Sequence, residues 1–145
     1  MNNLFSYYYN MPMDTKKWGK PLWTTMFAVA ANFPEEIDEK NKEHRKILHW
    51  YRQFFKSIPH ILPCSYCRCS SENVISKVVK WDFKSRESLL FSIYLWKSIV
   101  NEKLNAQDNR KRKSPPFDQV VAKYRKFHVG DKKYNVKKNG TNKGT

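Results

Sequence analysis

Cys64 and Cys67, in the run Leu62-Pro63-Cys64-Ser65-Tyr66-Cys67, are the residues whose types and spacing most directly imply chemistry. Two thiols separated by two residues at the start of a helix can close a small disulfide ring. The helix N-terminus is expected to stabilise a thiolate there and lower its pKa, which would make the pair exchangeable rather than inert. The same spacing taken alone serves a metal site equally well. His60, Cys64, Cys67 and Cys69 could offer one imidazole and three thiolates within ten residues. Structural zinc, however, usually draws its ligands from two separated clusters and so ties two chain segments together. Here His44, His49 and His128 are scattered and no second cluster exists. Outside a metal site, Cys69 reads as a small half-buried thiol on the following helix and His60 as a surface loop residue.

The elements that must position this pair read as helices. Trp23, Met26, Phe27, Ala30 and Phe33 recur at three-and-four spacing, so a first helix is expected over about residues 18–33, stopped by Pro34. A second is expected from Pro34-Glu35-Glu36 to about Phe55, its acidic opening suiting the positive end of the helix dipole and its stripe formed by Ile47, Trp50, Tyr51, Phe54 and Phe55. Pro59 and Pro63 then bracket a loop that delivers the cysteines, Pro63 excluding a continuous helix upstream. A third helix follows over about 65–79, with Val74, Ile75 and Val78 facing inward. For the fourth, Asp82 or Ser85 is the cap, and Leu89, Leu90, Ile93, Trp96, Ile99, Val100 and Leu104 fill the buried side. After a charged, Asn-rich break over 105–114, Pro115-Pro116 opens a short fifth helix through Phe117, Val120, Val121, Tyr124 and Phe127. No strand pattern or internal repeat appears. The expected fold is all-α, a four-helix bundle with a short fifth helix.

Size and charge bound the partners. At 145 residues the chain suits one domain, expected over 16–127 between an extended leader (1–15) and a basic tail (128–145) that is disordered beyond Gly130. A domain this small gains much from a bound cofactor or a partner chain. The net charge is +15, and the last 36 residues, from Arg110, hold twelve Lys/Arg against Asp118 and Asp131. Such a tail is either simply solvated or meets an anionic partner: nucleic acid, acidic protein or anionic membrane surface. Three cysteines are too few for a disulfide-stapled secreted scaffold. The N-terminus lacks a signal-peptide pattern, and the longest apolar run, Leu89 to Trp96, is too short to span a bilayer, so a cytosolic protein without a transmembrane segment is expected.

Three patches, in order, carry a resemblance. The first is Gly19-Lys20-Pro21-Leu22-Trp23-Thr24-Thr25-Met26-Phe27 with Ala30 and Phe33-Pro34; the second is Phe54-Phe55 leading to Leu62 through Cys67; the third is Lys97-Ser98-Ile99-Val100-Asn101-Glu102-Lys103-Leu104-Asn105-Ala106. Together they resemble the Erv/ALR sulfhydryl oxidases over about residues 17–127, and most resemble the short, divergent forms of large DNA viruses. The family pattern has histidine where Phe27 stands, His-Asn where Lys97-Ser98 stand and Gly-Lys where Asn105-Ala106 stand.

What the resemblance implies is an enzyme holding FAD within the helical bundle. It would pass electrons from the thiols of a partner protein through Cys64 and Cys67 to the flavin and on to O2, giving H2O2. Cys64 would face the substrate and Cys67 the flavin. Gly19, Lys20, Trp23, Phe27, Lys97, Val100, Asn101, Lys103 and Tyr124 are the candidate FAD contacts: aromatic rings for flat walls, lysines for the pyrophosphate. No second CxxC exists to act as a shuttle, so a dithiol protein of the thioredoxin-like kind would dock directly. A homodimer formed through the first helices, in host cytoplasm or virion, completes the implied picture. Two other readings stand beside it: a basic zinc-knuckle protein binding nucleic acid, and a family member that has lost FAD and serves as a scaffold.

Overall fold

The computed structural model describes residues 13–128 as five helices, and an isolated bridge between Glu36 and Ser85 is the only β-pairing among them. Helix α1, Thr15–Ala31, starts where the Asp14 carboxylate accepts the Lys16 amide at 2.9 Å. Pro21 lies inside α1 and donates no backbone bond, but its carbonyl accepts the Thr25 hydroxyl at 2.9 Å. The face carrying Met26, Phe27, Ala30 and Ala31 is buried.

Helix α2, Lys42–Ile61, begins later and ends later than expected. The opening turns belong to Asn41, whose side chain accepts the amides of Glu43 and His44. Residues 34–41 are spent otherwise: the carbonyls of Pro34 and Glu35 accept the Arg86 amide, and the Ile37 amide donates to Lys84. A backbone engaged across the chain cannot also close helical turns. At the far end Pro59 stays helical and buried rather than bracketing a loop. Its missing N–H removes one bond near a helix end, a smaller loss than unburying the turn that carries Ile58. His60 is therefore helical, and its ring lies 3.0 Å from Glu72.

Helix α3, Ser65–Lys77, is capped by a cysteine, Cys64. Val74 is buried as expected, whereas Val78 is 64% exposed because the helix ends before it. Cys69 is exposed, not half-buried, its register pointing it away from the core. Helix α4, Arg86–Asp108, takes Ser85 as its cap (Ser88 amide to hydroxyl, 3.0 Å) and runs into the expected break, ending on Asn109 at φ 53°. Trp50 inside α2, Leu104 in the last turns of α4, and Phe127 were expected in the buried stripes but are exposed. Helix α5, Phe117–Arg125, opens after Pro115-Pro116 and buries Val120 and Tyr124.

Helix α1 packs on α4 and α5, α2 packs on α3, and both α3 and α5 pack on α4. The resulting core holds Phe27, Phe33, Phe55, Ile93 and Trp96, all at most 2% exposed. This is the all-α four-helix bundle with a short fifth helix. No helix among the described residues is long and apolar enough to cross a membrane. The leader, apart from residues 13–15, and the tail, apart from His128, lie outside the described residues, as does the disorder expected beyond Gly130.

Candidate active site at the cysteine pair

The segment before α3 is held from several directions. The Pro63 carbonyl accepts the Met13 amide at 3.0 Å, and the Leu62 carbonyl accepts both the Cys64 amide (2.8 Å) and the Arg68 guanidinium (2.6 Å). Extended backbone at Cys64 (φ −157°, ψ 121°) turns its side chain back over the helix end, where Sγ accepts the Cys67 amide at 3.2 Å. Cys64 is buried at 9% exposure and Cys67 is half-buried, both in the free thiol form.

This geometry corrects the expected protonation. The helix-end amide is given to the Cys64 sulfur, while the Cys67 thiol is pushed up to about 12, first by burial and then by its hydrogen bond to Cys64 and that sulfur's proximity. A helix N-terminus favours an anion by only about 0.3–1 kcal/mol at exposed sites, and removal from water outweighs it here. In the reduced pair Cys67 is a held thiol, not a ready thiolate.

Both sulfurs line a cleft of ≈ 730 Å³ between α1, α3 and α4. Seven of the nine candidate contacts line it with them: Gly19, Lys20, Trp23, Lys97, Val100, Asn101 and Lys103. A side chain built at Gly19 would meet nothing within 4 Å, so that part of the wall faces open space. The Trp23 ring stands edge-on to Trp96 at 4.9 Å, Lys103 Nζ reaches Ser70 Oγ at 3.2 Å, and Asn101 Nδ2 reaches Ser114 Oγ at 3.4 Å.

The remaining two, Phe27 and Tyr124, line a smaller adjoining cavity of ≈ 200 Å³, and Lys97 and Asn101 belong to both spaces. Their rings stack on each other at 5.0 Å and 16°, and both are buried, so their flat faces are already used in the core. Lys97 Nζ lies 5.8 Å over the Phe27 ring, and its pKa is lowered by burial and by the charges of Lys123 and Lys20.

Several lining residues carried no motif signal. Tyr66, between the cysteines, accepts Gln107 Nε2 at 2.8 Å and so ties the pair to the end of α4. Lys16, Arg110 and Arg112 line the cleft although the last two read as part of a charged break. Ser98 lines the smaller cavity, and its Oγ is buried without a partner, as is Trp96 Nε1. Six Lys/Arg side chains and no carboxylate line the larger cleft. A cleft of this volume with an aromatic wall, clustered cations and an orphaned hydroxyl beside it fits a flat, anionic dinucleotide. The alternative zinc grouping is not assembled: His60 meets Glu72, Cys69 is exposed beside Asn73, and no three metal-ligating side chains gather among the described residues.

The sequence profile of the Erv1/Alr family matches residues 20–125. The chain belongs to that family. Among its relatives, the mitochondrial FAD-linked sulfhydryl oxidase ERV1 of Saccharomyces cerevisiae is 29% identical over 107 residues, covering 74% of this chain and 49% of the yeast protein. A protein of Invertebrate iridescent virus 3, assigned as an FAD-linked sulfhydryl oxidase, is 29% identical over 118 residues (77% of this chain, 76% of the viral one). A mimivirus protein assigned the same activity is 34% identical over 80 residues, 54% of this chain and 52% of its own length. This chain thus spans about half the length of the yeast and mimivirus relatives. The fold matches the FAD binding domain of yeast Erv1 with a TM-score of 0.63 at 22% identity, over 81% of this chain and 99% of that domain. The yeast Erv1 core gives 0.58 at 21% identity, over 86% and 94%.

Proposed function

We propose that this Erv1/Alr chain is an FAD-dependent thiol oxidase that introduces disulfides into partner proteins. The observation that carries the reading is one cleft shared by Cys64, Cys67 and seven residues singled out from sequence for FAD. Trp23 would hold the flat ring system, Lys20, Lys97 and Lys103 the phosphates, and Gly19, Val100 and Asn101 the remaining wall. Bound there, FAD would accept the two electrons of the reduced pair and hand them to O2, giving H2O2.

The chain's own residues do the exchange. A substrate thiolate attacks Cys64 Sγ of the oxidised pair, and the Cys64–Cys67 bond breaks toward Cys67. Cys67 takes up a proton, consistent with a thiol pushed up to about 12. A second substrate thiolate attacks the substrate sulfur of the mixed disulfide and releases Cys64, leaving substrate oxidised and the pair reduced by two electrons. Cys64 is the more buried sulfur, at 9% exposure, so substrate would have to approach it past Tyr66, which is 60% exposed and lines the cleft with it. A thioredoxin-like dithiol protein as substrate, a homodimer, a cytoplasmic or virion setting, and an oxidase domain over 16–127 flanked by leader and tail belong to the same proposal.

The purified protein should be yellow, with a flavin absorption band, and should consume oxygen with dithiothreitol. A colourless, inactive protein would instead support a cofactor-free scaffold, the reading favoured by the closed Phe27–Tyr124 stack.

A further inference from the structure

Five of the six cations of the cleft fall into two groups along its length, and Lys103 stands between them against Ser70. Met13 and Gln107 both reach the cysteine segment, through the Pro63 carbonyl and the Tyr66 hydroxyl, so the start of α1 and the end of α4 meet at that end. Phe27 beneath the Lys97 ammonium marks the other end. Lys20 and Lys97 stand toward that far end, close enough for the charge of one to lower the pKa of the other. Lys16, three residues after Met13, and Arg110 and Arg112, just after Gln107, line the cleft from the segments that those contacts tie to the cysteine end.

A dinucleotide pyrophosphate carries one charge on each phosphate, and Lys20, Lys97 and Lys103 are sufficient to meet it. With the pyrophosphate assigned to those three lysines, Lys16, Arg110 and Arg112 would receive no counter-charge from it. The carboxylate seen there is Asp108, held well below the usual carboxylate range, at about 2, by its hydrogen bond from Arg112 and engaged by Arg112 at 2.6 Å and Arg110 at 3.8 Å. Asp14, the cap of α1, accepts the Lys16 amide at 2.9 Å and adds a second carboxylate at that end. Three cations facing two anions leave the cysteine end with one net positive charge. Met13 and Tyr66, each 60% exposed, add apolar surface beside it.

We propose that the substrate is a dithiol segment flanked by acidic residues, drawn to the cysteine end of the cleft by Lys16, Arg110 and Arg112. This rests on the thiol-oxidase reading and sharpens it to a substrate class. Attraction between exposed charges raises encounter rates and is screened by salt, whereas the sulfur exchange itself is not. The preference therefore acts on capture of the substrate, before any bond is made or broken.

The test uses the full chain with its cysteine pair oxidised and two synthetic peptides with the same Cys-x-x-Cys core, one flanked by Asp/Glu and one by Lys. A single anaerobic turnover, quenched in acid and read as peptide disulfide by mass spectrometry, reports exchange with or without bound flavin. At low salt the acidic peptide should react about tenfold faster, the ratio should fall toward unity at high salt, and Lys16→Glu with Arg110→Glu should reverse it. Equal rates, faster reaction of the basic peptide, or a ratio unmoved by the double variant would overturn the proposal. Oxygen consumption by the wild-type protein with dithiothreitol is measured separately. Its absence would count against the oxidase reading while leaving the exchange ratio to decide the substrate class.

Discussion

At the scale of single residues the chemistry turns on a contrast between two sulfurs three positions apart. Cys64 takes the helix-end amide, and Cys67 is left as a desolvated thiol. Cys67→Ser should abolish oxygen consumption with dithiothreitol, because no disulfide can then close. Cys69→Ser should leave it within about twofold of wild type, since Cys69 is exposed and meets only Asn73 at 3.8 Å; a loss as deep as that of Cys67→Ser would assign the third thiol a part in turnover. The raised Cys67 pKa also has a stability sign. Its folded value lies above its unfolded value, so the stabilisation is complete below about 9 and is lost as pH rises toward about 12. Thermal unfolding of the reduced protein should thus move to lower temperature above pH 9, and more steeply than in Cys67→Ser. The spacing of the cysteines announced the pair, but not its protonation, because desolvation depends on what the rest of the chain packs against the sulfur.

At the scale of elements the helices owe their limits to caps and to cross-chain hydrogen bonds more than to periodicity. Apolar spacing located α1, α4 and α5 closely, and Ser85 was among the candidate caps. It misplaced the start of α2, because Pro34-Glu35-Glu36 resembles a helix opening in isolation, while its carbonyls serve Arg86 some fifty residues on. Asn41→Ala should lower stability by about 1 kcal/mol in urea unfolding, as loss of a side-chain cap does, whereas Glu36→Ala should have a smaller effect. An equal or larger loss at Glu36 would show that the 34–41 segment, not the cap, sets the helix start.

At the scale of the molecule, the proposed cofactor and the fold would be coupled. The cleft gathers six cations without a carboxylate in its lining, a standing repulsion that a bound dinucleotide would relieve. FAD added at a hundredfold excess over its Kd should stabilise the protein by about 2.7 kcal/mol, read as a rise in Tm. Lys97→Met should raise Tm of the cofactor-free protein, by removing a half-buried charge that Lys20 and Lys123 repel, and should weaken FAD binding measured by flavin fluorescence. A fall in Tm with FAD binding unchanged would mean that Lys97 serves packing rather than the phosphates.

The sequence by itself determined the helical class, the cysteine pair and the order of the motif patches, because periodicity, cap residues and local spacing are written in neighbouring positions. The pair was legible in that way, whereas Gly19 to Trp23 and Lys97 to Lys103 stood out through their resemblance to the family pattern. Only the tertiary structure decided that Phe27 and Tyr124 close on each other, that Cys67 is held as a thiol, and that Lys16, Arg110 and Arg112 join the lining of the cleft. Burial and electrostatic potential are sums over every chain segment brought near, and those sums exist only after folding.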